Sequence, residues 1–205
     1  MQTSEWVELH GISNALTPPE VRDYEEPCSR TPREIALRTV VLQGIVAVGA
    51  EVDPAPIIDW YHEQGVWDHV TRDERVFLTQ ENPTREERLR FCWHQEAEWA
   101  LLWAIGKVDH LGLPTKCCDT ARLVDEIIPA LGSDIEPFVS SAQLLQPGLL
   151  LAEDDRTYDM WCCAQKALRA GLLPDDLKMS VLYERRYAFE WLDGNQIWDE
   201  VTCDA

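Results

Sequence analysis

The stretch from Thr84 to Ile105, TREERLRFCWHQEAEWALLWAI, decides the fold. Thr84-Arg85-Glu86-Glu87 is a capping box: a threonine that can accept the third helical N–H, and a glutamate that can reach back to the threonine's own N–H. Leu89, Cys92, Trp93, Trp99, Ala100, Trp103 and Ala104 then recur at three- and four-residue spacing, which draws one apolar stripe along a helix. From Trp99 to Ile105 the run is apolar on every side, so this helix is expected at the centre of the molecule. It is predicted over about 85–108, ended by Gly112 and Pro114.

Working outward, the same signals repeat. Thr31-Pro32-Arg33-Glu34 is a second box, with proline at the first helical position, and Ile35, Leu37, Val40, Val41, Ile45 and Val48 carry its helix to about residue 50. Short helices are expected over about 56–64 and 71–78. Others follow over about 119–130, over 134–145 behind the box Ser133-Asp134-Ile135-Glu136, over 149–170 and over 176–193. No run alternates long enough to argue a strand. Residues 1–30, with Pro18, Pro19, Pro27 and many acids, have no period and read as a loosely ordered lead-in. The expectation is a single compact all-α domain over 31–205, of about seven to eight helices, preceded by that segment.

Charge narrows the function classes. The 205-residue chain has a formal net charge of −19, with −7 over residues 119–160, +2 over 161–186 and −5 over 187–205. Such a surface repels phosphate backbones, so nucleic acid is not an expected partner, whereas a basic protein is. No run approaches a membrane span, and the start of the chain lacks the basic and apolar regions of a secretory signal. Seven cysteines, an odd number without any C-x-x-C, suit free thiols in a cytoplasmic protein.

Most catalytic spacings are absent. There is no G-x-S-x-G, no G-x-x-x-x-G-K and no G-x-G-x-x-G. The Glu-x-x-His pairs of di-iron bundles are missing, and His94-Gln95-Glu96 lacks the P-C-x-x-C that completes a deaminase zinc site. His94 and Glu98, one helical turn apart, supply only two of four ligands, so no metal and no cofactor is expected.

Two carboxylates fall where the helical period says core. Glu96 shares the stripe of Trp93, Trp99 and Trp103, and Glu184 lies with Val181, Ala188 and Trp191. A buried carboxylate must be paired, hydrogen-bonded or protonated. Arg185 and Arg186, with Arg33 and Arg38 of the first helix, are the available cations. One reading places Glu96, Glu184 and an arginine in a tryptophan-walled pocket fit for acid–base work; the other makes them a satisfied ion network that fixes helix packing.

Several of these stretches together resemble the bacterial domain-of-unknown-function family numbered 4272. The residues are the helix start Arg33 to Leu42, the run Glu96 to Gly106, Pro114 with Cys118-Asp119, Asp154 to Trp161, Tyr183 to Leu192, and Trp198-Asp199-Glu200-Val201. The match runs from about residue 30 onward, and its most specific part is the tail Glu184-Arg185, Ala188, Trp191-Leu192 and Trp198-Asp199. The first thirty residues look private to this chain, and Cys162-Cys163 departs from the small apolar residues usual after Trp161. The resemblance implies an all-helical bacterial domain, with Glu96, Trp161, Glu184 and Arg185 as its polar centre, and no activity.

The reading that follows is a binding protein, an immunity or inhibitor protein for a basic partner, with Glu153, Asp154 and Asp155 as the acidic docking surface. The alternatives are an enzyme using Glu96 and Glu184, or a scaffold that self-associates.

Overall fold

A computed structural model describes residues 28–194 and 196–203. The expected lead-in therefore lies outside the described residues, apart from Cys28, Ser29 and Arg30. The described residues contain eight α-helices and no strand: α1 (Pro32–Gly49), α2 (Pro54–Glu63), α3 (Arg72–Thr79), α4 (Arg85–Ala104), α5 (Thr120–Arg122), α6 (Glu136–Ser140), α7 (Pro147–Arg169) and α8 (Met179–Asp193). The chain is an all-α domain. None of these helices is long and apolar enough to cross a membrane.

Helix α4 is central, packed between α1 on one side and α8 on the other. Every residue from Glu96 to Ile105 is buried, as the all-round apolar run demands. The amphipathic stripe is less regular at its start, where Leu89 is 56% exposed. Helix α1 is buried without interruption from Ile35 to Ile45. Gly44 admits Tyr61 of α2, since a Cβ there would lie 2.1 Å from the Tyr61 hydroxyl, which donates to the Val41 carbonyl at 2.5 Å. A smaller cluster of Met160, Trp161, Cys163, Ala164, Leu177 and Leu182 joins α7 to α8.

The capping boxes at Thr31 and Thr84 form, and a third forms at Thr71 ahead of α3. The α4 helix stops at Ala104, earlier than its sequence suggests. Gly106 takes a φ of 71° and donates to the Trp103 carbonyl while Lys107 donates to Leu102, the paired bonds of a Schellman close.

Two expected helices shrink. At 134–145 only α6 forms, because Ser133 donates to the Ala130 carbonyl and Asp134 accepts from Glu136 N instead of building a box. Leu145 N then donates to the Ala104 carbonyl, which draws the segment away to the end of α4. At 119–130 the single turn α5 passes into a π turn over Leu123–Ile127. Pro129 holds Ile128 extended and ends it.

Candidate functional site

Helix α4 carries three polar residues into the interior, His94, Glu96 and Glu98. Successive members lie two residues, about 200°, apart on the helix, and each meets different surroundings.

His94 faces α8. Its Nδ1 lies 2.9 Å from Glu184 Oε2, with the two side chains 13% and 7% exposed. Rings surround the pair: Phe91 at 5.6 Å from the imidazole, Tyr187 and Trp198 at 6.0 Å each. The Tyr187 hydroxyl donates to the Trp198 carbonyl, and burial pushes its pKa well up. A cavity of about 240 Å³ opens onto this pair, with Asp73, Arg90, Tyr183 and Asp199 around it. A second, of about 300 Å³, shares Arg90, Tyr183 and Glu184 and is walled by Trp93, Trp161 and Met179. Asp199 accepts from Asp73 N at the start of α3, which ties the C-terminal turn Trp198–Glu200 to the rim.

Glu96 turns away from that cleft. Its Oε1 accepts from Cys118 N at 2.7 Å, while Oε2 is buried without a hydrogen bond. Burial raises its pKa, against the pull of the Cys118 N–H and the Arg185 charge. Arg185 donates to the carbonyls of Gly112 and Leu111 at 2.7 Å each. Burial lowers the Arg185 pKa, opposed by the Glu96 and Glu153 charges. Together they clamp the loop after α4 onto α4 and α8. The single pocket expected for Glu96 and Glu184 is therefore two separate places, and only Glu184 borders the cleft.

Glu98 is wholly enclosed, and neither carboxylate oxygen has a hydrogen-bond partner among the described residues. Burial pushes its pKa well above the usual carboxylate range, which favours the neutral acid. His94 and Glu98, one helical turn apart, meet different surroundings: His94 borders the cleft and Glu98 lies in the sealed interior.

Trp161 stays beside Glu184 in the wall of the second cavity, buried on α7 against α8 and 5.9 Å from the Tyr183 ring, with its indole N–H unpartnered among the described residues; the other expected residues scatter. Glu153, Asp154 and Asp155 do not form an exposed acidic surface. Helix α7 docks by the face that carries Asp154, Thr157 and Trp161, so Asp154 is buried and paired with Arg186 at 3.3 Å. Glu153 pairs with Arg156, and only Asp155 is exposed. Arg38 pairs with Glu74 in the interior and Arg33 with Glu136 at the surface, so neither reaches Glu96 or Glu184. Sequence spacing misses His94 as the partner of Glu184, together with Tyr187 and Trp198. The one available signal is the tail motif itself, whose Glu184, Trp191 and Trp198-Asp199 all border or back this cleft.

The family model described as Domain of unknown function (DUF4272) matches residues 1–201. The match begins at residue 1, so the first thirty residues are not private to this chain. No curated protein and no solved structure matches it.

Proposed function

The chain belongs to the DUF4272 family, and from that premise we propose that it is a binding domain for a basic partner, which presents a cationic side chain to the cleft between α4 and α8. The observation that carries this reading is the mixture in one open cleft of carboxylates (Asp73, Glu184, Asp199) with the rings of Phe91, Tyr183, Tyr187 and Trp198. Ring faces and carboxylates attract the same ligand, an ammonium or guanidinium. The chain's own Arg90 already lies 4.5 Å over Phe91 at the edge of the cleft. A net charge of −19 favours the encounter at long range. Asp155, the one exposed member of the acidic run on α7, adds to that field without forming a docking surface.

Titration of a tetra-arginine peptide, read by tryptophan fluorescence, tests the proposal. Binding should weaken steeply between about 20 and 200 mM salt, as the screening length contracts. D73N and E184Q should each weaken it by roughly three- to tenfold, the worth of one partly buried charge contact. Binding that ignores both salt and substitutions would sink the reading. A low-salt pull-down with mass spectrometry would then name the natural partner.

A second reading rests on the His94–Glu184 pair. A carboxylate at one ring nitrogen orients the imidazole, and among the described residues Nε2 has no hydrogen-bond partner, as a proton acceptor requires. On this reading, turnover of a substrate would vanish in H94Q.

A further inference from the structure

A different cavity, of about 280 Å³, lies where the starts of α1 and α3 meet the end of α8. Its composition runs against the charge of the chain. Only 18 of the 205 residues are lysine or arginine, yet Arg30, Arg38 and Arg72 border this one space with His69.

Two of these arginines are held in place by tryptophans. Arg30 lies 4.6 Å over Trp191 and Arg38 lies 4.8 Å over Trp198, while the two indoles meet edge to face at 5.6 Å. Arg30 is fixed further by donating Nε to the Trp191 carbonyl at 3.1 Å and Nη2 to the Gln196 carbonyl, which leaves its Nη1 hydrogens unused among the described residues. Arg72 is exposed and, like Arg30, forms no ion pair among the described residues.

Two residues of the wall carry buried donors without an acceptor among the described residues, Arg38 Nε and Trp198 Nε1. Buried N–H groups are nearly always satisfied, so these two leave spare donor capacity behind a wall whose accessible face carries Arg30, Arg72 and His69. The carboxylates nearby do not take it up. Glu34 accepts from the N–H and hydroxyl of Thr31, and Glu74 is paired with Arg38. Asp68 stands exposed at the rim.

We propose that this cavity is a binding site for a small oxyanion ligand, a phosphate or carboxylate group, received between Arg30 and Arg72 with Arg38 and Trp198 behind. Guanidinium forks match the planar pairs of oxygens in such groups, and stacking on indole removes most of the freedom an arginine would otherwise lose on binding. The ligand class is opposite in charge to the partner proposed for the other cleft, so the two proposals stand or fall separately.

The test uses the full chain labelled with ¹⁵N, titrated with inorganic phosphate and, separately, with citrate. Arginine Nε–H and indole N–H signals are followed, with sodium chloride at matched ionic strength as control. Saturable shifts of the Arg38 Nε–H and Trp198 Nε1–H signals are expected, and R72E should raise the apparent Kd by about tenfold through loss of one charge-assisted contact. H69A, at an exposed position, should have a smaller effect in the same direction. A response to phosphate alone assigns a phosphoryl group, and a response to citrate alone assigns a carboxylate. The absence of saturable shifts with both probes, equal shifts with chloride, or an unchanged Kd in R72E would each overturn the proposal.

Discussion

A single glutamate carries the sharpest prediction at the scale of the residue. Glu98 has no cation and no donor for its oxygens among the described residues, and burial raises its pKa, so the folded protein is expected to keep its proton where an unfolded chain releases it. The native state therefore binds more protons than the unfolded state once pH rises above the usual carboxylate value, and stability falls with pH across that window. The slope is at most about 1.4 kcal/mol per pH unit for one proton. E98Q replaces a neutral acid by an amide of the same shape and should leave stability within about 1 kcal/mol at pH 5. Urea unfolding of both proteins between pH 5 and 7 should show the variant gaining on the wild type as pH rises. Parallel curves would mean that Glu98 is ionised in the folded protein.

Elements show which parts of the sequence speak for themselves. The boxes at Thr31 and Thr84 are legible because both halves of each bond lie three residues apart, and T84A should destabilise by about 1 kcal/mol in thermal unfolding. The box at Ser133 fails because a neighbouring carbonyl and an Asx turn compete for the same groups, a contest that spacing does not record. The burial of α4 is likewise visible in its apolar run. The His94–Glu184 contact is not, because it joins residues 90 apart in the chain and no local period encodes it. The acidic stretch of α7 misleads for a related reason. Charge is read from composition, whereas the pairing of Asp154 with Arg186 is decided by which face of α7 meets α8. R186M should cost about 3–5 kcal/mol by removing the buried cation that pairs with both Asp154 and Glu190, and adding D154L should recover part of that loss. Additive losses in this double-mutant cycle would show that the two residues are not coupled.

For the whole molecule the governing quantity is the excess of acid. Thirty-seven carboxylates against eighteen cations repel one another more in the compact state than in the unfolded chain. Raising salt from about 20 to 200 mM, which shortens the screening length from roughly 20 to 7 Å, should raise the melting temperature. A melting temperature that falls instead would show that attractive pairs outweigh the repulsion. At the same scale, Ser29 donates from its backbone N–H to the Leu192 carbonyl and from its hydroxyl to Gly194, while Arg30 grips Trp191 and Gln196. The entry to α1 is thus stitched to the exit of α8, so the first and last long helices of the described residues are tied together by hydrogen bonds across more than 160 positions of sequence. A nick at the exposed turn around Gly132, where nothing packs within 4 Å of an added Cβ, should therefore leave two pieces that this stitch still holds together.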